Sequence, residues 1–289
     1  MSSKYKSITV TPLSPALGGE ISGVDIAAGI SDEQLAEMRQ AFIDYGVIFL
    51  RDQDITPDQH IEFARRWGEI NVNRFFQPVD THPLIAEVRK EAEQKANIGS
   101  SWHTDHSYDQ APAMGSILYA REIPSVGGDT LFASMYAAYA ALSDGMKQML
   151  GSMNAEHSSR HAFGEVAYVE TDLEDLGGRL GNTASATQDS VHPVVIRHPL
   201  SGKPALYVNG DFTVRFEGWS KAESQPLLDF LYAHASQHEF TCRFRWQQGS
   251  MAMWDNRATQ HLALNDYHGE RRVMHRITLE GVALGPATA

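Results

Sequence analysis

The sequence predicts a mainly β protein, a β-sandwich or jelly roll braced by several helices, and three observations predict it. Runs of modest length, rich in β-branched and aromatic residues, recur along the chain and are punctuated by Gly, Pro and Asp. Only about four segments carry helical periodicity. No regular alternation of strand and helix is present, which argues against a doubly wound parallel sheet.

Taken in order, ITVTPL alternates as a half-buried strand does, and LGGEISGVDI adds a second short strand among glycines. Ser31 and Gln34 form a capping-box pattern ahead of a helix to about Tyr45, in which Leu35, Met38 and Phe42 recur at helical spacing. VIFLRDQ reads as a buried strand. Thr56, Pro57 and Gln59 repeat the helix-start signature, with proline at the first helical position, where its missing N–H costs nothing, and that helix runs to about Trp67. LIAEVRK, SILYARE, DTLFASM and HPVVIRH have the length and composition of strands, and a helix from about Ser134 to Leu150 interrupts them. Ser220 and Glu223 cap a last helix to about Gln237, after which FTCRFRW and SMAMWDN return to strand. The stretch from Gly164 to Ser190 is acidic, polar and glycine-containing, so a long loop is expected there, as a candidate lid. No repeat and no Pro- or Ser-rich linker divides the chain, and residues 1–289 are expected to form a single domain.

Hydrophobic residues make up 42% and charged residues 21% of the 289, an ordinary soluble composition. No apolar run approaches the roughly 20 residues a membrane helix needs, and the N-terminus lacks a secretory pattern, so a cytoplasmic protein is expected. Cys242 is the only cysteine, which excludes an intramolecular disulfide and a thiolate metal cluster. Any metal must therefore be held by histidine and carboxylate. A formal charge of −12 disfavours contact with a phosphate backbone, and no nucleic-acid partner is expected.

Two words carry chemistry, SWHTDHSY and WDNRATQHLALNDY. His103 and Asp105 are two residues apart, so on an extended backbone both side chains project to one face and can grip one ion. His261 would supply a third ligand from a distant strand end. Two imidazoles and one carboxylate on one face of an octahedron leave the other positions open for a chelating cosubstrate and oxygen, the arrangement of non-haem iron(II) oxygenases. Among 13 histidines and 36 acidic residues a hydrogen-bonded surface pair would also explain His103 and Asp105 taken alone. Further anchors shift the balance. Arg272, in RRVMHRITLEG, offers a guanidinium for a two-pronged salt bridge to a carboxylate remote from the metal, and Thr130, in GGDTLF, offers a hydroxyl to the same group. An exposed strand arginine and a threonine chosen for β-propensity are the alternatives.

LGGEISGVDI, WHTD, GGDTLF, HPVV with the following HP, LYVN, and WDNRATQH followed by RRVMHR occur in one order between about Thr9 and Leu279. In that ordered set the chain resembles the taurine dioxygenase and dichlorophenoxyacetate dioxygenase family of iron(II)/2-oxoglutarate oxygenases. The resemblance implies a double-stranded β-helix, a form of jelly roll. It implies that His103, Asp105 and His261 bind iron and form the catalytic centre, and that Thr130 and Arg272 hold the distal carboxylate of 2-oxoglutarate. The implied activity is a 2-oxoglutarate-dependent dioxygenase that consumes oxygen, releases succinate and carbon dioxide, and hydroxylates a small organic substrate. Members of the family are often dimers or tetramers, so self-association is expected on that ground alone.

Arg276 aligns with the arginine that contacts the anionic group of substrate in taurine-type enzymes, and it shares a strand face with Arg272, so a small anion is expected. Two positions depart from the taurine pattern: Asn73 stands where those enzymes carry a sulfonate-binding histidine, and Gly99 where they carry a polar residue. The expected surroundings of the substrate are then His106, Tyr108, Arg74, Phe76, Phe163 and Phe212. His106 reads as an acid/base group or substrate donor, or as a plain polar neighbour. This more aromatic lining suits an aryloxyalkanoate or an alkyl or aryl sulfonate or sulfate. A zinc hydrolase using the same three ligands and a non-catalytic jelly-roll binding protein are the rival classes.

Overall fold

The computed structural model describes residues 4–164, 180 and 183–287. In chain order the elements are β1 (Thr9–Pro12), β2 (Gly19–Ser22), α1 (Asp32–Tyr45), β3 (Val47–Leu50), α2 (Pro57–Trp67), β4 (Ile70–Asn71), β5 (Pro78–Val79), β6 (His82–Lys90), β7 (Gly115–Glu122), β8 (Thr130–Ser134), α3 (Met135–Ala141), α4 (Asp144–Leu150), β9 (Asn154–Ser158) and α5 (Arg160–Phe163). They continue with β10 (Asp189–Pro193), β11 (Val195–Arg197), β12 (Pro204–Leu206), β13 (Thr213–Phe216), α6 (Lys221–Ala235), β14 (Thr241–Phe244), β15 (Met251–Asp255), β16 (Thr259–Ala263), β17 (Arg272–Leu279) and β18 (Gly285–Pro286).

A large sheet runs β1-β2-β3-β15-β7-β17-β6-β5, with β4 on β17, and a three-stranded sheet runs β14-β8-β16. The period-two alternation of strands sorts the large sheet into two faces. Ile48, Leu50, Ile117, Tyr119, Met251, Met253, Ile277 and Leu279 turn to one side and pack with Met38 and Phe42 of α1 and Phe63 and Ala64 of α2. Val47, Phe49, Leu118, Ala120, Ala252, Trp254 and Met274 turn to the other, against Phe132 of β8 and Phe244 of β14. Phe49 stacks on Phe244 at 4.1 Å and meets Phe132 edge-on at 5.6 Å. Truncating a phenylalanine so placed costs roughly 3–5 kcal/mol, so this layer holds the sandwich shut. Arg272 and Arg276 have the parity of Met274, which places both on the interior face of the sandwich.

The three helix starts form as their sequences imply. In α1 the Gln34 N–H donates to Ser31 Oγ at 3.1 Å and the Ser31 N–H donates back to Gln34 Oε1 at 3.0 Å; Thr56 with Gln59 and Ser220 with Glu223 repeat the reciprocal pair.

Two expectations need correction. The helix from Ser134 to Leu150 is broken into α3 and α4, because Leu142 is extended and Ser143 caps a new start by accepting from the Met146 N–H. HPVVIRH is likewise split between β10 and β11 at Val194, which bonds instead with Met153 and Tyr207. Most of the candidate lid at 164–190 lies outside the described residues. No described helix is long and apolar enough to cross a membrane.

Candidate active site

His103 and His261 are drawn together by backbone. The two residues form an isolated antiparallel bridge, exchanging N–H to O bonds of 3.1 and 2.8 Å, and their rings lie 4.1 Å apart. Asp105 does not continue an extended strand, contrary to the sequence expectation; it opens a turn whose next residue, His106, has φ 60°. The convergence survives that change. One donor atom from each of His103, Asp105 and His261 lies within 4.8 Å of the others, and all three residues are buried.

The donor chemistry fits a divalent cation. His103 Nδ1 lies 2.8 Å from the Ser101 carbonyl and donates its hydrogen there, so Nε2, 3.7 Å from Asp105 Oδ1, keeps its lone pair for a metal. Burial, reinforced by the neighbouring His103, pushes the pKa of His261 down to about 3 and leaves its ring neutral. Burial alone would raise the pKa of Asp105, but Arg276 and the two histidines outweigh it and hold the carboxyl well below the usual range. Ser116 completes the frame by donating to Asp105 Oδ2 at 2.9 Å. Ser116→Ala is expected to weaken metal binding about tenfold by freeing that carboxylate to rotate, which an anaerobic metal titration would read.

A cavity of about 510 Å³ opens in front of the three donors and is also lined by Thr130, Arg272 and Arg276. Arg272 is 5% exposed, yet its Nε and Nη2 have no hydrogen-bond partner. Such a buried cationic fork is costly unless an anion meets it. Its neighbour Thr130 accepts from Trp246 Nε1 at 3.0 Å, which directs the threonine's own hydrogen elsewhere. Gly128, at φ 68°, makes room: a Cβ there would lie 3.3 Å from Arg272 Cδ. Gly99, at φ 81°, does the same beside the His103 ring, where a Cβ would lie 3.2 Å from Cε1.

At the other end of the cavity stand Asn73, Phe76, His106, Tyr108, Phe163 and Phe212. Arg276 is held over the Phe76 ring at 4.2 Å and reaches Asp105 Oδ1 at 3.4 Å, a contact long enough to be mainly Coulombic. Arg74 is a correction: it is not a wall of the cavity, because Nη2 is bound to both oxygens of Asp109 at 2.6 Å. Sequence reasoning also missed His161, on the short helix α5, and Asp211, which accepts from Ser101 Oγ at 2.6 Å. Neither carries a local motif.

The chain matches the family described as Taurine catabolism dioxygenase TauD, TfdA family over residues 9–278. It is 34% identical over 275 residues to an alpha-ketoglutarate-dependent sulfate ester dioxygenase of Pseudomonas putida, covering 95% of this chain and 90% of that protein. It is 33% identical over 277 residues to an alkylsulfatase of Acinetobacter baylyi, covering 96% and 86%. Among solved structures, a taurine dioxygenase from Burkholderia xenovorans superposes with a TM-score of 0.80 at 32% identity, covering 97% of this chain and 93% of that one.

Proposed function

The chain belongs to the taurine catabolism dioxygenase TauD, TfdA family, a family of iron(II)- and 2-oxoglutarate-dependent dioxygenases with a jelly-roll fold, and we propose that it hydroxylates sulfate esters of small organic alcohols. We assign His103, Asp105 and His261 as the iron ligands, Thr130 and Arg272 as the clamp on the distal carboxylate of 2-oxoglutarate, and Arg276 as the principal contact of the substrate anion. The observation that carries this is the buried guanidinium of Arg272, whose Nε and Nη2 lack hydrogen-bond partners, on the same cavity as the two histidines and aspartate. A zinc hydrolase would leave that cation without a purpose, and a zinc hydrolase or a plain binding protein is set aside by the family as well.

When bound, iron(II) with 2-oxoglutarate and oxygen supplies the oxidising chemistry, with succinate and carbon dioxide released. The protein's residues do the positioning. Ser101 and Ser116 aim His103 and Asp105, Trp246 aims Thr130, and Trp254, Leu118 and Phe212 keep the cavity apolar where water would compete. A hydroxyl placed on the carbon that bears the ester oxygen makes a hemiacetal-type sulfate, which expels hydrogen sulfate and leaves an aldehyde.

Two features favour sulfate esters over the other acids considered: the sulfate-directed relatives, and a cavity whose aromatic walls suit an alkyl tail with Arg276 available to an anion. The test is stimulation of succinate formation and release of inorganic sulfate across n-alkyl sulfates, sulfonates, aryloxyalkanoates and neutral alcohols. Alkyl sulfates are expected to lead, and Arg276→Ala to raise their KM by about 30-fold, as loss of a buried charge pair does. Stimulation by neutral alcohols alone would overturn the role of Arg276.

A further inference from the structure

Behind the substrate end of the cavity runs a hydrogen-bonded chain whose polarity can be read link by link. Asn73 Oδ1 accepts from the backbone N–H groups of Phe75 and Phe76 at 2.9 and 3.0 Å, so its amide nitrogen must be the end that faces His106 Nε2, 3.4 Å away. His106 Nδ1 lies 3.0 Å from Asp109 Oδ2, and a carboxylate can only accept, so a ring hydrogen sits on Nδ1, while Nε2, faced by the Asn73 amide N–H, is the accepting nitrogen. Asp109 is itself gripped by Arg74. The links therefore agree in direction from Arg74 to Asn73.

The backbone is bent to make this chain. His106 holds φ 60°, one of two non-glycine residues with positive φ among the described residues, a conformation that a side chain with a Cβ adopts only where its surroundings impose it. That turn also bonds the Asp109 N–H to the His106 carbonyl at 3.0 Å, bringing carboxylate and ring together. Only the far end of the chain meets the cavity: Asn73 and His106 line it, and Asp109 and Arg74 do not.

We propose that Asp109 and His106 are positioning residues that lock the Asn73 carboxamide as a hydrogen-bond donor toward the substrate head group. Asn73 Oδ1 and His106 Nε2 are both consumed within the protein, so this wall offers the cavity the second amide N–H and no acceptor. With Arg276 nearby, the head-group end then favours groups that only accept hydrogen bonds, as sulfate oxygens do, and disfavours ammonium or hydroxyl heads. The location of the head group rests on the sulfate-ester reading; the tautomer of His106 does not.

The experiment pairs two readouts. In protein labelled with 15N-histidine, the His106 signal is identified by its absence in His106→Asn, asparagine being tolerant of the left-handed backbone. The ring hydrogen is expected on Nδ1 and not on Nε2, moving toward Nε2 in Asp109→Ala and returning to Nδ1 in Asp109→Glu, which keeps an acceptor. In kinetics with an n-alkyl sulfate, Asp109→Ala is expected to raise KM about tenfold with kcat within about twofold, the size of one charge-assisted hydrogen bond. The iron(II)–2-oxoglutarate absorption band should be unchanged, which excludes general loss of structure. A parent ring that carries a hydrogen on Nε2, or an Asp109→Ala variant with unaltered tautomer and KM, would overturn the proposal. The Nδ1–H tautomer in a parent enzyme that turns over no sulfate ester would support the lock and sink the sulfate reading instead.

Discussion

Replacing Asp105 by alanine is expected to abolish iron(II) binding and to cut turnover by about 1,000-fold or more, well beyond the 10- to 100-fold typical of residues that merely support a ligand. Two effects act together. The variant loses the one anionic donor of the group, leaving two imidazoles that cannot alone hold a hard divalent ion against water. It also leaves the Arg276 guanidinium, now 3.4 Å from Asp105 Oδ1, without its counter-charge, so the site that attracted a dication would repel one. Thermal unfolding offers a readout independent of activity. Manganese(II) or iron(II) at 100 times Kd stabilises the native state by about 2.7 kcal/mol through linkage, and that rise in Tm should vanish in Asp105→Ala. A variant that keeps the metal-induced shift would remove Asp105 from the ligand set.

What could be read from the sequence about this site and what could not separate along one physical line. Local signals survived folding: Ser31, Thr56 and Ser220 cap the helices their neighbours announce, because a capping box is settled within four residues. Strand parity survived too, and it is why Arg272 and Arg276 could be assigned one face before any contact was known. The His103 and Asp105 pair was legible as a motif but wrong in its backbone, since a turn rather than an extended strand presents Asp105. Contacts between distant segments were invisible. Ser116 on Asp105, Trp246 on Thr130 and Asp109 on Arg74 have no local pattern to announce them and depend on how strands, turns and loops from different parts of the chain are brought side by side. Arg74 was misplaced for that reason: nothing near it in sequence says that a carboxylate 35 positions on will claim it.

Arg272→Met is expected to do two opposite things, and their conjunction is what makes it diagnostic. The native guanidinium is buried with Nε and Nη2 unpartnered, and burial accordingly lowers its pKa from the ordinary arginine value. In the protein without 2-oxoglutarate that arrangement is a liability, and replacing a buried unsatisfied cation by an apolar side chain of similar reach should stabilise the fold by about 1–3 kcal/mol. A higher Tm than the parent follows. With 2-oxoglutarate the sign reverses. The distal carboxylate would lose a bidentate, charge-assisted contact and keep only the Thr130 hydroxyl, so its Kd, followed through the absorption band of the anaerobic iron(II) chelate, should rise by about 100-fold. Arg272→Lys should fall between, because an ammonium supplies the charge but not the fork. An Arg272→Met protein that is both less stable and unimpaired in binding would mean that the guanidinium props the strand β17 rather than waiting for an anion.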